Sequence, residues 1–240
     1  MYKLILSISL FTFSSWSFAE MSFEQELKSN CAKVKQHAQL GKKFYDQKQY
    51  SKAIDSFKQQ AAWSAFCDMH HEDTGIKFSE QAISTAYNNV GLSYAKLGKT
   101  EWARAWFSVY PDTKNSQFNL QQLAAPKKSA TLAGTYVQHA GFGEWNTITV
   151  KRNQNAYKIE FNGFYMGIQS LIYGPNIGEF ETQMPFNKNH TEFRLDDCLI
   201  NLKFGFNAKQ GQYIQADTKN MMSCGFGHNV SAYGMFLKVE

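Results

Sequence analysis

The hydrophobic period of this chain changes once, near Pro126, and that change limits the fold more than any other feature. Before it, apolar residues recur at three and four, as in Ala53, Phe57 and Ala61, then Ile83, Tyr87, Val90, Tyr94 and Leu97. That spacing brings side chains onto one face of an α-helix. After it, alternation takes over in Thr147-Ile148-Thr149-Val150, Tyr157-Lys158-Ile159-Glu160-Phe161 and Leu202-Lys203-Phe204-Gly205-Phe206. A period of two belongs to strands with one buried face. Ala124-Ala125-Pro126-Lys127-Lys128-Ser129 separates the two textures with a proline and two charges. The expected fold is therefore α+β: a helical domain over 20–125, a linker over 126–130, and an antiparallel β-domain over 131–240.

The first nineteen residues stand apart. Lys3 precedes an apolar stretch, Leu4 to Phe13, and Ser17-Phe18-Ala19 places small residues where a signal peptidase would cut ahead of Glu20. The stretch is too short to cross a bilayer core of ~30 Å, and no cysteine follows the cut to carry a lipid. A signal peptide over 1–19 is expected, and with it a periplasmic or secreted protein without an integral membrane span.

Composition removes further classes. Aromatic residues make up 15% of the chain and charged residues 19%, too aromatic for a disordered chain. Basic and acidic residues number 13 and 11 from residue 20 to Pro126, and 11 and 9 after it. Neither half carries the concentrated positive charge of a nucleic-acid-binding domain.

Within the helical half, Leu40, Gly41, Phe44, Ala53 and Phe57 are followed fifty residues later by Val90, Gly91, Tyr94, Ala103 and Phe107 at the same mutual spacings. In two antiparallel helices that cross closely, small residues must face each other. A glycine on the first helix opposite an alanine twelve residues later permits this, with aromatics filling the flanks. These segments, over roughly 34–110, resemble tetratricopeptide repeats, which implies helical hairpins and a surface that binds a peptide or protein rather than catalysis. The repeat differs from the family's ~34-residue period by an insertion from Cys67 to about Glu80. Arrays of this kind need capping elements, a role expected for the leading helix and for Lys114 to Leu123.

The four cysteines of an exported chain are expected to pair. The midpoint of Cys31 and Cys67 falls at residue 49, inside the turn expected in the first helical hairpin. The midpoint of Cys198 and Cys224 falls at Gly211, in a turn between two strands. Local pairings Cys31 to Cys67 and Cys198 to Cys224 follow. The β-half shows strand-like segments around Gly134–Tyr136, Asn146–Lys151, Ala156–Phe161, Gln169–Tyr173, Glu179–Gln183, Glu192–Asp196, Leu199–Phe206, Gln212–Ala216 and Ala232–Val239. Short strands without intervening helices predict an antiparallel sandwich or small barrel, and pairing of the last strand with the first would close it. The tail Cys224-Gly225-Phe226-Gly227-His228-Asn229-Val230, with Tyr233-Gly234, resembles the closing segment of uncharacterised exported bacterial β-domains, some of them near lysozyme-inhibitor proteins.

Residues of catalytic type occur without catalytic arrangement. His70-His71-Glu72-Asp73 holds metal-ligand types, but neighbours on a helix point ~100° apart, so a solvated inserted loop is expected and no metal. Glu179 with Glu181, and Asp196-Asp197, have spacings that permit a carboxylate pair without pointing to one. Gly225-Phe226-Gly227 lacks the strand and helix of a phosphate loop. No enzyme and no cofactor is expected. Trp63, Trp102 and Trp106 in the repeats, and Phe164 and Tyr165 in the β-half, are the candidate contacts for a partner. The expected function is a non-enzymatic scaffold or adaptor that binds another protein. The alternatives are an inhibitor or immunity protein that blocks a cell-wall hydrolase through the β-domain, and a barrel that holds a small apolar molecule.

Overall fold

The computed structural model describes residues 21–240, so the expected signal lies outside the described residues. Helices α1 (Phe23–Asp46), α2 (Tyr50–Met69), α3 (His71–Thr74), α4 (Glu80–Lys96), α5 (Thr100–Phe107) and α6 (Lys114–Gln122) come first. Ser22 starts α1 with a reciprocal cap: its hydroxyl accepts from the Gln25 N–H while the Gln25 side chain accepts from the Ser22 N–H. Gly98 ends α4 with φ +74°, a conformation that favours glycine. Helices α1 and α2 pack as one hairpin, α4 and α5 as a second, and α2 lies against α4. The inserted segment contains α3. On α4, α6 is held by polar contacts: Asn88 Nδ2 donates to Ser116 Oγ at 2.9 Å, and Asn119 Nδ2 donates to Asn88 Oδ1 at 2.7 Å.

The glycines of the fifty-residue register make their nearest approach to an aromatic ring. A Cβ on Gly41 would lie 2.4 Å from the Phe57 ring, and a Cβ on Gly91 2.4 Å from the Phe107 ring. Each glycine is therefore the seat of the aromatic sixteen residues later. Ala53 and Ala103 are fully buried. Leu40 departs from its counterpart: Val90 is buried, whereas Leu40 is 40% exposed. Val90 belongs to a helix packed against α2, and among the described residues α1 has no helix on its outer side.

Eight strands follow: β1 (Gly134–Gly141), β2 (Glu144–Asn153), β3 (Ala156–Tyr165), β4 (Asn176–Pro185), β5 (His190–Leu195), β6 (Cys198–Asn207), β7 (Gly211–Lys219) and β8 (Gly234–Lys238). They form one antiparallel sheet in the order β4-β3-β2-β1-β8-β7-β6-β5, a nearly closed barrel rather than a sandwich. The segment Gln169–Tyr173, expected as a strand, contains the short helix α7 (Ser170–Tyr173). Its apolar run Leu171-Ile172 is too short to distinguish period two from period 3.6. Alternation along the strands places Tyr136, Ile148, Ile159, Phe161, Ile200, Leu202, Ile214 and Phe236 inside, where they fill the interior.

The last strand pairs with the first, Val137 opposite Leu237, but that contact does not complete the ring. The seam lies between β4 and β5. Near their connecting turn, Thr182 Oγ1 donates to the Glu192 carbonyl at 2.8 Å and Thr191 Oγ1 to the Gln183 carbonyl at 2.7 Å. At the other end the segment after β7 folds over β4: Gly227 N–H donates to the Ile177 carbonyl at 2.9 Å. Between these points the rings of Phe180 and Phe193 stack at 4.8 Å. Threonines, an aromatic stack and a covering segment thus protect two strand edges that a ladder would otherwise close.

Both expected disulfides are present, Cys31–Cys67 and Cys198–Cys224, closing separations of 36 and 26 residues. The second ties the covering segment, with Phe226 packed on the core, to the start of β6. Closing such a loop stabilises by about 3.5 kcal/mol in the chain-entropy model. Cys198→Ser with Cys224→Ser should lower stability in chemical denaturation by roughly that amount and speed amide exchange at Gly227 more than at Phe57. Equal exchange at both positions would show that the bond does not hold the seam.

Gly91→Ala should cost about 1–2 kcal/mol in spite of alanine's better helix propensity, because the added methyl meets a fully buried ring. Combining it with Phe107→Leu should recover part of the loss, whereas additive losses in the double variant would refute the pairing.

Candidate functional site

The helical array presents two surfaces, and the barrel covers one of them. The β1–β2 turn carries Phe142 and Gly143 with positive φ, of 47° and 78°, which projects the Phe142 ring onto Phe66 at 5.0 Å. Behind it, Trp145 meets Trp106 at 5.2 Å and Trp102 at 6.0 Å, and His139 meets Tyr87 at 5.4 Å. Gly143 rests against the Trp106 ring, 3.4 Å from where its Cβ would stand. Strand β1 is consequently buried on both faces, Tyr136 toward the barrel core and Val137 toward α5. Phe142 and Met166 share a cluster with Leu27, Cys31, Trp63 and Phe66, so the helices and the barrel have apolar cores in common.

Two polar clamps fix this interface. Arg104, 4% exposed, donates from Nη2 to the Ala124 carbonyl at 2.6 Å, from Nη1 to the Lys209 carbonyl at 3.2 Å, and from Nε to Glu101 at 3.2 Å. It ties α5 to the segment that follows α6 and to the β6–β7 turn. His70 Nε2 donates to the Ile168 carbonyl at 2.6 Å, and Nδ1 faces Asp73 at 3.1 Å. The ring is buried between Phe23 and Phe66. His70 is therefore a structural contact between α2 and the β3–β4 connection, not part of a solvated loop. Among the described residues no group of three or more histidine, cysteine or acidic side chains could hold a metal ion.

Four of the five candidate partner contacts are taken up, wholly or in part, inside the protein. Trp106 is fully buried and Trp63 nearly so, and Trp102 is half-buried with Nε1 donating to Glu240 at 3.1 Å. Phe164 packs against the cluster around Phe66, while Tyr165 remains exposed. The tryptophans are anchors, as their residue type suggested, but their partner is the chain's own barrel.

The surface left open is a groove of about 370 Å³ between α1, α2 and α4, lined by Ala38, Lys42, Tyr45, Asp46, Phe57, Asn89 and Leu92. Its geometry descends from the repeat register: Gly41 lets the Phe57 ring lie low enough to form the floor. Tyr45 stands edge-on to Tyr50 at 5.3 Å, and burial, then Tyr50, then Asp46 push its hydroxyl above the usual phenol range, so it stays a donor. Lys42 pairs with Asp46 at 2.7 Å along the rim. Among the described residues the Asn89 side chain makes no hydrogen bond, leaving an amide donor and acceptor on the wall. An apolar floor, a rim ion pair and a free amide suit an extended backbone with an apolar side chain.

A second cleft, on the barrel, is lined by Glu160, Asn162, Glu179, Glu181 and Phe193. Lys151 and Lys158 hold the Glu160 carboxyl down at about 2, and Lys158 also pairs with Glu181 at 2.8 Å. Glu160 and Glu181 are thus engaged in a surface ion-pair network. No protein-family model matches the chain, nor does a curated protein or a solved structure.

His139 sets a pH limit on the interface. Its burial pushes the imidazole from 6.5 down to about 4, and Nε2 accepts from the Gly143 N–H at 3.3 Å. Between those values the unfolded chain takes up a proton that the folded ring refuses. Stability is therefore complete above pH 6.5 and declines as pH falls toward 4, by at most about 1.4 kcal/mol per unit. In His139→Gln, which keeps an acceptor for Gly143, the decline measured by denaturant titration should be shallower. His37, lowered by burial and by Lys33, contributes the same sign in both proteins. Superimposable pH profiles would exclude His139 as the cause.

Proposed function

We propose that this is an exported, non-enzymatic protein that holds an extended segment of another protein in the groove between α1, α2 and α4. The carrying observation is the groove itself, whose floor is set by the same glycine–aromatic contact that repeats at Gly91 and Phe107. The likeness of the register to tetratricopeptide repeats supports this reading, since α1 and α4 occupy equivalent positions in it. Export is supported by two disulfides, which belong to oxidising compartments, and by the signal-like sequence of residues 1–19. Among the described residues no helix is long and apolar enough to cross a membrane.

The competing readings have less support. A small-molecule carrier needs interior space, and the barrel interior is filled by side chains. An inhibitor acting through the β3–β4 connection would have to use Tyr165 alone of the two aromatics proposed, because Phe164 faces the helices.

Leu92→Arg should place a long charged side chain across the groove without touching the helix–barrel interface. It should abolish affinity capture of the partner from the native envelope and leave the melting temperature within about 2 °C, as for a surface substitution. Trp102→Ala should do the reverse, lowering stability while preserving capture by the folded fraction. Undiminished capture by Leu92→Arg would remove the groove from the function.

A further inference from the structure

Strand direction gathers four connections at one end of the barrel: the β1–β2 turn, the β3–β4 connection, the β5–β6 turn and the β7–β8 connection. Two of them are long and uncharged. Residues 162–178 and 220–237 contain no Lys, Arg, Asp or Glu, in a chain of which 19% is charged. They are joined to each other, Gly227 N–H to the Ile177 carbonyl at 2.9 Å and Asn176 Nδ2 to the His228 carbonyl at 2.9 Å. They also display large apolar side chains to solvent. Ile168, Tyr173 and Ile177 are 65, 65 and 66% exposed, Tyr233 is 60% exposed, Met222 is fully exposed, and Tyr165 is partly so.

This exposure is held in place by the fold. The Ile168 carbonyl is fixed by His70, and Leu171 and Ile172 of the same connection pack inward against the helices. With its neighbours anchored, Ile168 has its side chain turned to solvent, and the Phe23 ring stacks on Tyr173 at 6.0 Å. Phe23, the first residue of α1, therefore lies at this end of the barrel.

We propose that this end of the barrel docks on the surface of a lipid bilayer, with Tyr165, Ile168, Tyr173, Ile177, Met222 and Tyr233 entering its interfacial layer. Charge is the property that a lipid-facing surface must lack, because a charged side chain is costly to take into the membrane. Tyrosine, three of the six, suits the boundary, where its ring meets acyl chains and its hydroxyl meets headgroups. Of the charged groups at this end, Glu144, Asp196, Asp197 and Lys219 sit at strand ends in the flanking turns, and Glu24 and Asp73 lie beside Phe23 and His70 on the helices, together summing to a negative charge; the titratable side chains within the two segments are Tyr165, Tyr173, Tyr233 and His228. Docking is accordingly driven by apolar burial, insensitive to salt and not strengthened by anionic lipid.

Co-sedimentation with phosphatidylcholine vesicles, with and without added phosphatidylglycerol, tests this on the full chain and on the chain from Glu20 onward, since Leu4 to Phe13 is itself apolar. The chain from Glu20 should pellet with both vesicle types at low and high salt. Ile168→Ser combined with Tyr173→Ser and Ile177→Ser should reduce its partition about tenfold, with an unchanged circular dichroism spectrum. Phe118→Ser, an exposed apolar position on α6, should bind as before, and so should Leu92→Arg, which separates this inference from the groove. Failure of the chain from Glu20 to bind, equal binding by the triple variant, or binding that needs phosphatidylglycerol and vanishes in salt would overturn the proposal. So would self-association without vesicles that the triple variant abolishes, because a second copy would then cover the face.

Discussion

Trp106 and Trp145, their rings 5.2 Å apart, are the contact on which the rest of the molecule depends. Each comes from an element that cannot bury its own apolar surface. Two helical hairpins leave Tyr87, Trp102 and Trp106 uncovered, and an eight-stranded barrel leaves Val137, His139 and Trp145 on its outside. Docking one on the other buries both sets at once, and the large aromatic areas make this a major apolar contribution to stability. The consequence is that helices and barrel share cores although their sequences differ in texture. The glycine-flanked turn at Phe142 and the buried guanidinium of Arg104 then fix the angle of docking, one by filling a space and the other by satisfying the Ala124 and Lys209 carbonyls while pairing with Glu101 on its own helix.

The barrel solves its own problem separately. Two meanders, β1 to β4 and β5 to β8, meet through β1 and β8 and leave β4 and β5 facing each other without a ladder. Two threonine side chains join the strands near the turn, and a covering segment held by Cys198–Cys224 protects the opposite end. The disulfide is well placed for this task. The covering segment has no regular structure of its own beyond one short 3-10 turn, so a covalent tether limits how far it can leave the edge.

Local features of this fold were legible in the residues, and long-range ones were not. The change of period at Pro126, the two hairpin-centred cysteine pairs and the meeting of the first and last strands are set by spacing, and spacing is what a sequence displays. Gln169–Tyr173 was misleading because five residues do not fix a period. The register of Gly41 and Gly91 marked a close approach whose nearest group is the aromatic at sixteen, one helical turn beyond the alanine at twelve on the same face. Trp63 and Trp106 showed the residue type of a binding anchor without showing that the anchor point lies in the same chain. The groove was harder still to find, because Ala38, Asn89 and Leu92 are ordinary helix residues, and only the adjacency of α1 and α4 turns them into a wall.

Burial of the tryptophans also decides what kind of recognition remains open to the helices. A surface led by tryptophan would bind through a few large apolar contacts, with affinity concentrated in one or two side chains. The open groove has the largely buried Phe57 ring as its floor, one tyrosine hydroxyl, one amide and one ion pair. Such a surface gains from directional hydrogen bonds to an extended backbone and discriminates chiefly against segments that cannot lie flat between α1 and α4. Since α2 contributes both the groove floor at Phe57 and the interface residue Phe66, nine positions later on the same helix, a shift of α2 against the barrel would alter the groove. The cysteine pair Cys31–Cys67 ties α2 to α1 at the end of that helix and opposes such a shift. The first disulfide therefore serves the groove as the second serves the seam, each restraining a helix or segment whose neighbours alone leave it free to slide.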